Sequence, residues 1–106
     1  YKKAMQVRAL LKAQLNKLFG SFQLVLSPTS PTPPFRIGEK ADDPLAMYLT
    51  DICTTFVSLA HLPAMSLPCG KTKEGLPVGL QITGPRFSEK LLLETSEAWH
   101  REGGAA

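Results

Sequence analysis

Asp51 is the one acidic side chain in the run from Pro44 to Gly70, PLAMYLTDICTTFVSLAHLPAMSLPCG. Met47, Tyr48, Leu49, Ile52, Cys53, Phe56 and Val57 flank it. A carboxylate among such neighbours costs free energy unless it is paired or left at the wall of a wet cavity. The plainer alternative is an exposed aspartate on the polar side of an amphipathic helix, and the residues alone leave both open. Other reactive groups lack the company that catalysis requires. His61 and His100 have no neighbours that complete a triad, and neither GxSxG nor SxxK occurs. There is no HExxH, and Asp42-Asp43 reads as a helix cap rather than an acid pair. Gly70-Lys71-Thr72 resembles the tail of a phosphate loop, but Met65 stands where its leading glycine belongs and Glu74-Gly75-Leu76-Pro77 cannot open a helix. Cys53 and Cys69 form no CxxC and have no histidine at zinc spacing, so they read as two buried, reduced thiols. No metal or other cofactor is expected. A chain that lines a site whose nucleophile lies elsewhere accounts for this inventory better than a self-contained enzyme.

The elements that would position Asp51 can be read in order. Tyr1 to Phe19 predicts a helix, because Ala4, Val7, Leu11, Leu15 and Leu18 recur at spacings of three and four. Lys2, Lys3, Arg8, Lys12 and Lys17 lie mostly off that stripe, and Gly20 stands where a left-handed C′ residue is wanted. The stripe should pack and the cations face water. Phe22 to Leu26 is short and apolar and predicts a buried strand. Ser27-Pro28-Thr29-Ser30-Pro31-Thr32-Pro33-Pro34 follows, too rich in proline for regular hydrogen bonding and held extended. Pro31, Pro34 and Arg36 also match the spacing of an SH3 ligand. Ile37 to Ala41 predicts a polar loop.

Asp43 as N-cap and Pro44 at the first helical position open the segment that carries Asp51. His61-Leu62-Pro63 breaks it. Ala64 to Leu67 predicts a strand, Lys71 to Gly75 a turn, and Pro77 to Thr83 a second strand. In that strand Val78, Leu80 and Ile82 alternate with Gly79, Gln81 and Thr83. Ser88 is the natural cap of the last helix, with Phe87 placed to staple onto Leu92. Leu91, Leu92, Thr95, Ala98 and Trp99 form its buried side, Gly103-Gly104 ends it, and His100 suits its C-terminal dipole. The order is helix, strand, loop, helix, two strands, helix, an α/β arrangement in which helices cover a small sheet.

The chain has 106 residues, enough for one domain (residues 1–106) with a modest core. Its net charge of +3 is too small to indicate nucleic acid by itself. No apolar run approaches the roughly 20 residues that span a bilayer. The amphipathic start does not read as a signal peptide, so a cytoplasmic protein without a membrane partner is expected.

Several motifs together resemble the C-terminal portion of the amidase-signature family. They are Ser27-Pro28-Thr29-Ser30-Pro31-Thr32-Pro33 after a helix and a strand, and Ile37-Gly38-Glu39-Lys40 before Asp42-Asp43-Pro44-Leu45. Met47-Tyr48, Asp51-Ile52, Leu59-Ala60 and Pro63 follow. Ser66-Leu67-Pro68-Cys69-Gly70 and Gly75-Leu76-Pro77-Val78-Gly79-Leu80-Gln81-Ile82 complete the set. The Asp42-to-Asp51 block resembles the tRNA-dependent amidotransferase branch in particular.

That resemblance implies glutamine as substrate, hydrolysed by a serine with a second serine and a lysine moving protons. It further implies ammonia passed to other subunits of an ATP-dependent complex, with tRNA engaged through the partner subunit. The serine–serine–lysine segment is not among these residues, so the resemblance implies a portion of a longer protein that is inactive alone. One residue carries over: Asp51, three after Tyr48, which in the family binds the α-amino group of glutamine. Where the family usually has proline, asparagine and glycine, this chain has Phe56, Ser58 and His61, which bears on the turn before Leu62-Pro63 and leaves Asp51 untouched. The rivals are another amidase-signature hydrolase and a non-enzymatic module whose proline-rich loop binds a partner. A portion of a larger sheet would leave strand edges open and favour self-association.

Overall fold

The computed structural model describes residues 1–39 and 42–104. Lys40 and Ala41, the end of the expected polar loop, lie outside them. Helix α1 runs Lys2–Leu18 and ends on Phe19 in the right-handed helical region. Gly20 is not left-handed, contrary to expectation: its N–H returns to Lys17 O at 3.1 Å, and Ser21 and Phe22 both return to Leu18 O. A tightened last turn thus satisfies the terminal carbonyls without a left-handed residue. The apolar stripe is also not packed away. No residue of α1 is buried, and Val7 is 60% exposed.

Strand β1 is Val25–Pro28, three residues beyond the start predicted from hydrophobicity. Pairing decided the boundary. Val25, Leu26, Ser27 and Pro28 face Thr83, Ile82, Gln81 and Leu80 of β3, Pro77–Thr83, whose limits are those expected. Strand β2, Ala64–Lys71, pairs on the other flank, giving an antiparallel sheet in the order β1-β3-β2. It runs four residues past its predicted end, through a register shift between Pro68 and Lys71. Both Pro28 and Pro68 sit in edge strands, where a missing N–H need not interrupt the ladder. The β2–β3 turn closes with Gly75 N–H donating to Thr72 O at 3.0 Å and Thr72 N–H to Leu76 O at 2.8 Å.

Between β1 and β2 the expected single helical segment is two helices, α2 (Pro44–Leu49) and α3 (Ile52–Leu59). Asp43 caps α2 as predicted, its carboxylate accepting from Ala46 N–H at 3.1 Å. Helix α4 covers Glu89–Arg101. Leu92 packs on Leu67 and Ile82, flanked by Leu24, Met65 and Trp99. Trp99 Nε1 donates to Pro68 O at 2.8 Å and ties α4 to β2. The predicted start of α4 is corrected in detail. Ser88 Oγ donates to Pro85 O at 2.6 Å instead of capping the helix. Phe87 is left-handed (φ 68°) and 81% exposed beneath the Arg86 guanidinium, so no staple to Leu92 forms.

The mixed helix-and-strand class holds, with an antiparallel sheet. Its shape is a slab of 41 × 41 × 17 Å with a radius of gyration of 15.8 Å. A compact domain of this length would have about 13 Å. The core is correspondingly thin: among the described residues the buried apolar side chains are Val57, Ala60, Leu67, Ile82 and Leu92.

Candidate functional site

Asp51 occupies the junction between α2 and α3, rather than the face of one continuous helix. Its N–H donates to Tyr48 O at 3.2 Å, so the end of α2 fixes its entry. Its carbonyl accepts Thr54 and Thr55 N–H, both at 3.1 Å, and the Thr54 and Thr55 hydroxyls at 3.1 and 2.8 Å. The two threonines therefore pin the backbone of Asp51 to the first turn of α3. The carboxylate itself is exposed, makes no capping bond, and has no hydrogen bond or ion pair to another described residue. The backbone is held, and among the described residues the charge is left without a partner. Tyr48, three residues earlier, is also exposed.

Two clefts lie along the proline-rich segment, and the smaller one adjoins this junction. One of about 390 Å³ has Pro31, Leu49, Thr50 and Ile52 in its walls, with Asp51 between the last two in sequence. The other, about 650 Å³, lies between the proline-rich segment and β2–β3. At its wall the Thr29 and Ser66 hydroxyls share a hydrogen bond of 2.8 Å, reaching across β3 above Gly79. The extended proline-rich segment thus lines both clefts.

Three contributors escape sequence reasoning. Alternation puts Gln81 on the polar side of β3, yet it is 4% exposed. Its Nε2 donates to Cys53 O on α3 at 2.9 Å and to Ser27 Oγ on β1 at 3.2 Å. Thr83, on the same side, is fully buried. The pattern locates this polar row but carries no sign that a helix covers it. Arg8 is the second: Nε donates to Leu59 O at 2.7 Å, where a cation suits the C-terminus of α3, and Nη2 meets His61 Nε2. The Arg8 guanidinium, with smaller contributions from burial, Lys12 and Arg86, holds the pKa of His61 below its usual range. His61 itself is left-handed, with φ 58°. That is the conformation for which glycine is suited, at the position where the family resemblance leads one to expect it. The third is Cys69, which is free but exposed on β2, whereas two buried thiols were expected; Cys53 is free and half-buried.

The three-stranded antiparallel sheet with helices before and after it is an arrangement shared with solved structures of one known class. The sequence pattern of the amidase family matches residues 1–93, and the chain belongs to that family. Within it, the chain is similar to the A subunit of glutamyl-tRNA(Gln) amidotransferase. The protein of that name from Thermodesulfovibrio yellowstonii is 52% identical over 107 residues, covering 95% of this chain and 22% of the relative. That from Treponema denticola is 46% identical over 102 residues, covering 96% and 21%. The crystal structure of the Thermotoga maritima protein superposes with a TM-score of 0.87 at 42% identity, covering 92% of this chain and 21% of that one. Allophanate hydrolase of Kluyveromyces lactis superposes with 0.74 at 30% identity, covering 87% and 15%. The chain spans about a fifth of the length of the curated relatives named here.

Proposed function

We propose that this chain supplies the substrate-recognition carboxylate of the glutamine-hydrolysing A subunit of an amidotransferase, with Asp51 receiving the α-ammonium of glutamine. The reaction is hydrolysis of the side-chain amide to glutamate and ammonia. The ammonia serves other subunits of the complex in amidating misacylated Glu-tRNA(Gln), so tRNA is engaged through a partner. The nucleophilic serine and its proton-transfer partners belong to other residues of the parent protein. Such a complex works in the cytoplasm; among the described residues no helix is long and apolar enough to cross a membrane. One observation carries the reading: Asp51 has a backbone fixed from both sides and an exposed carboxylate with no described partner. A free carboxylate facing an ammonium forms a charge-assisted hydrogen bond and discriminates an amino acid from a simple amide.

The test is Asp51→Ala in the complete subunit within its complex, assayed on glutamine and on a des-amino analogue. With the rest of the subunit closed over the bound ammonium, the pair is desolvated, and removing one partner of such a pair costs about 2–5 kcal/mol. The KM for glutamine should rise about 30-fold to several thousand-fold, while the analogue is spared. The melting temperature should hardly move, because the carboxylate supports no other described group. Equal losses on both substrates, with a lowered melting temperature, would make Asp51 a structural residue. High activity on a small amide without an α-amino group, indifferent to Asp51→Ala, would instead favour another amide hydrolase.

A further inference from the structure

Gln81 lies at the centre of the sheet, in register with Ser27 on one side and Ser66 on the other. Paired residues of antiparallel strands share a face, so this row is polar and should have been wet. Instead Gln81 is buried, and both hydrogens of its amide nitrogen have acceptors: Ser27 Oγ at 3.2 Å and Cys53 O at 2.9 Å. Cys53 is the second residue of α3, two after Asp51. The bond therefore grips the first turn of the helix whose other hydrogen bonds pin the Asp51 backbone through Thr54 and Thr55. A continuous chain of hydrogen bonds runs from β1, through the central strand, to the turn that presents the carboxylate.

We infer that Gln81 is the positioning residue for Asp51, anchoring the start of α3 to the sheet so that the carboxylate keeps its direction. The inference rests on the recognition role proposed for Asp51. Without the amide, α3 retains its apolar contacts but its first turn loses its tether, and the ammonium is met by a carboxylate of less defined placement. Binding of the amino-acid head should weaken while the chemistry at the amide end is unaffected.

The experiment uses the complete subunit in its complex and compares wild type, Asp51→Ala, Gln81→Met and the double variant on glutamine and its des-amino analogue. Methionine keeps the length of the side chain and removes both donors. Loss of a hydrogen bond of ordinary strength corresponds to about a fivefold to tenfold rise in glutamine KM. The value of kcat and both constants for the analogue should stay within about twofold. On the Asp51→Ala background Gln81→Met should add nothing, since the two act through one contact. Gln81→Asn, which keeps the donors on a shorter arm, should recover part of the loss.

Equal damage to both substrates, or an undiminished effect in the double variant, overturns the inference and makes Gln81 a structural residue only. If Asp51→Ala itself fails to discriminate the substrates, the recognition reading falls and takes this inference with it. If Gln81→Met does not fold, Ser27→Ala carries the test by removing the anchor on β1. A glutamine-selective rise in KM of about twofold to threefold is then expected, and no rise overturns the inference.

Discussion

Replacing Gly79 by alanine puts a methyl group where two strands meet over a third. An ideal Cβ at this position lies 2.9 Å from Ser66 Oγ, 3.0 Å from Thr29 Oγ1 and 3.2 Å from Thr29 Cβ. The two hydroxyls bond to each other at 2.8 Å, and they can do so because the residue between them has no side chain. Alanine would gain about 0.5–1 kcal/mol by removing glycine's freedom in the unfolded chain. Against this stand the lost hydrogen bond, about 1 kcal/mol, and the displacement of packed neighbours, about 1–3 kcal/mol. The net destabilisation is about 1–3 kcal/mol, and each kcal/mol lowers the melting temperature by about 4–8 °C in a domain of this size. Trp99, the single tryptophan, donates to Pro68 O, and Pro68 lies opposite Gly79 in the sheet. Its fluorescence during urea denaturation therefore reports on this region. Ser66→Ala in the same chain opens room for the methyl, so the two changes together should cost less than their sum by at least about 0.5 kcal/mol. A Gly79→Ala variant as stable as the parent would refute the steric argument and the role of the Thr29–Ser66 bridge.

The isolated chain should show no glutaminase activity, because no serine–serine–lysine arrangement of the kind the family uses stands among its residues; turnover that survives repurification and is lost on substituting one of its serines would contradict this. It should self-associate, since β1 and β2 are both edge strands and the α1 stripe is uncovered; a clean monomer by light scattering at high concentration would count against the reading. Stability should also depend on His61. The Arg8 guanidinium lowers its folded-state pKa, so the unfolded chain takes up the proton first as pH falls. Stability is complete above the ordinary histidine value, declines between that value and the lowered one, and then levels. His61→Asn, which tolerates the left-handed backbone, should flatten that part of the profile relative to the parent in denaturant titrations across the histidine range, and an unchanged slope would remove His61 as its source.

Local chemistry is legible in the residues. Asp43-Pro44 specifies a helix start because a carboxylate can take Ala46 N–H and a proline needs no donor there. Alternation from Pro77 to Thr83 specifies a strand with the limits observed. The motifs around Asp51 are enough to reveal the family. Three things depend on the assembled sheet. Strand β1 begins at Val25 because pairing with β3, and not the hydrophobicity of Phe22, selects which residues are extended. Gln81 and Thr83 are buried although they fall on the polar side of their strand, because a helix covers that face and supplies the Cys53 carbonyl. Asp51 stands at a helix junction because the last turn of α2 tightens, with Thr50 and Asp51 N–H returning to Met47 O and Tyr48 O, and α3 starts afresh from the Asp51 carbonyl. A sequence pattern records which side chains prefer water, and so determined the order of helices and strands, the split of the middle helical segment excepted. Which polar groups are matched by partners far along the chain is a property of packing, and only the tertiary structure decided it.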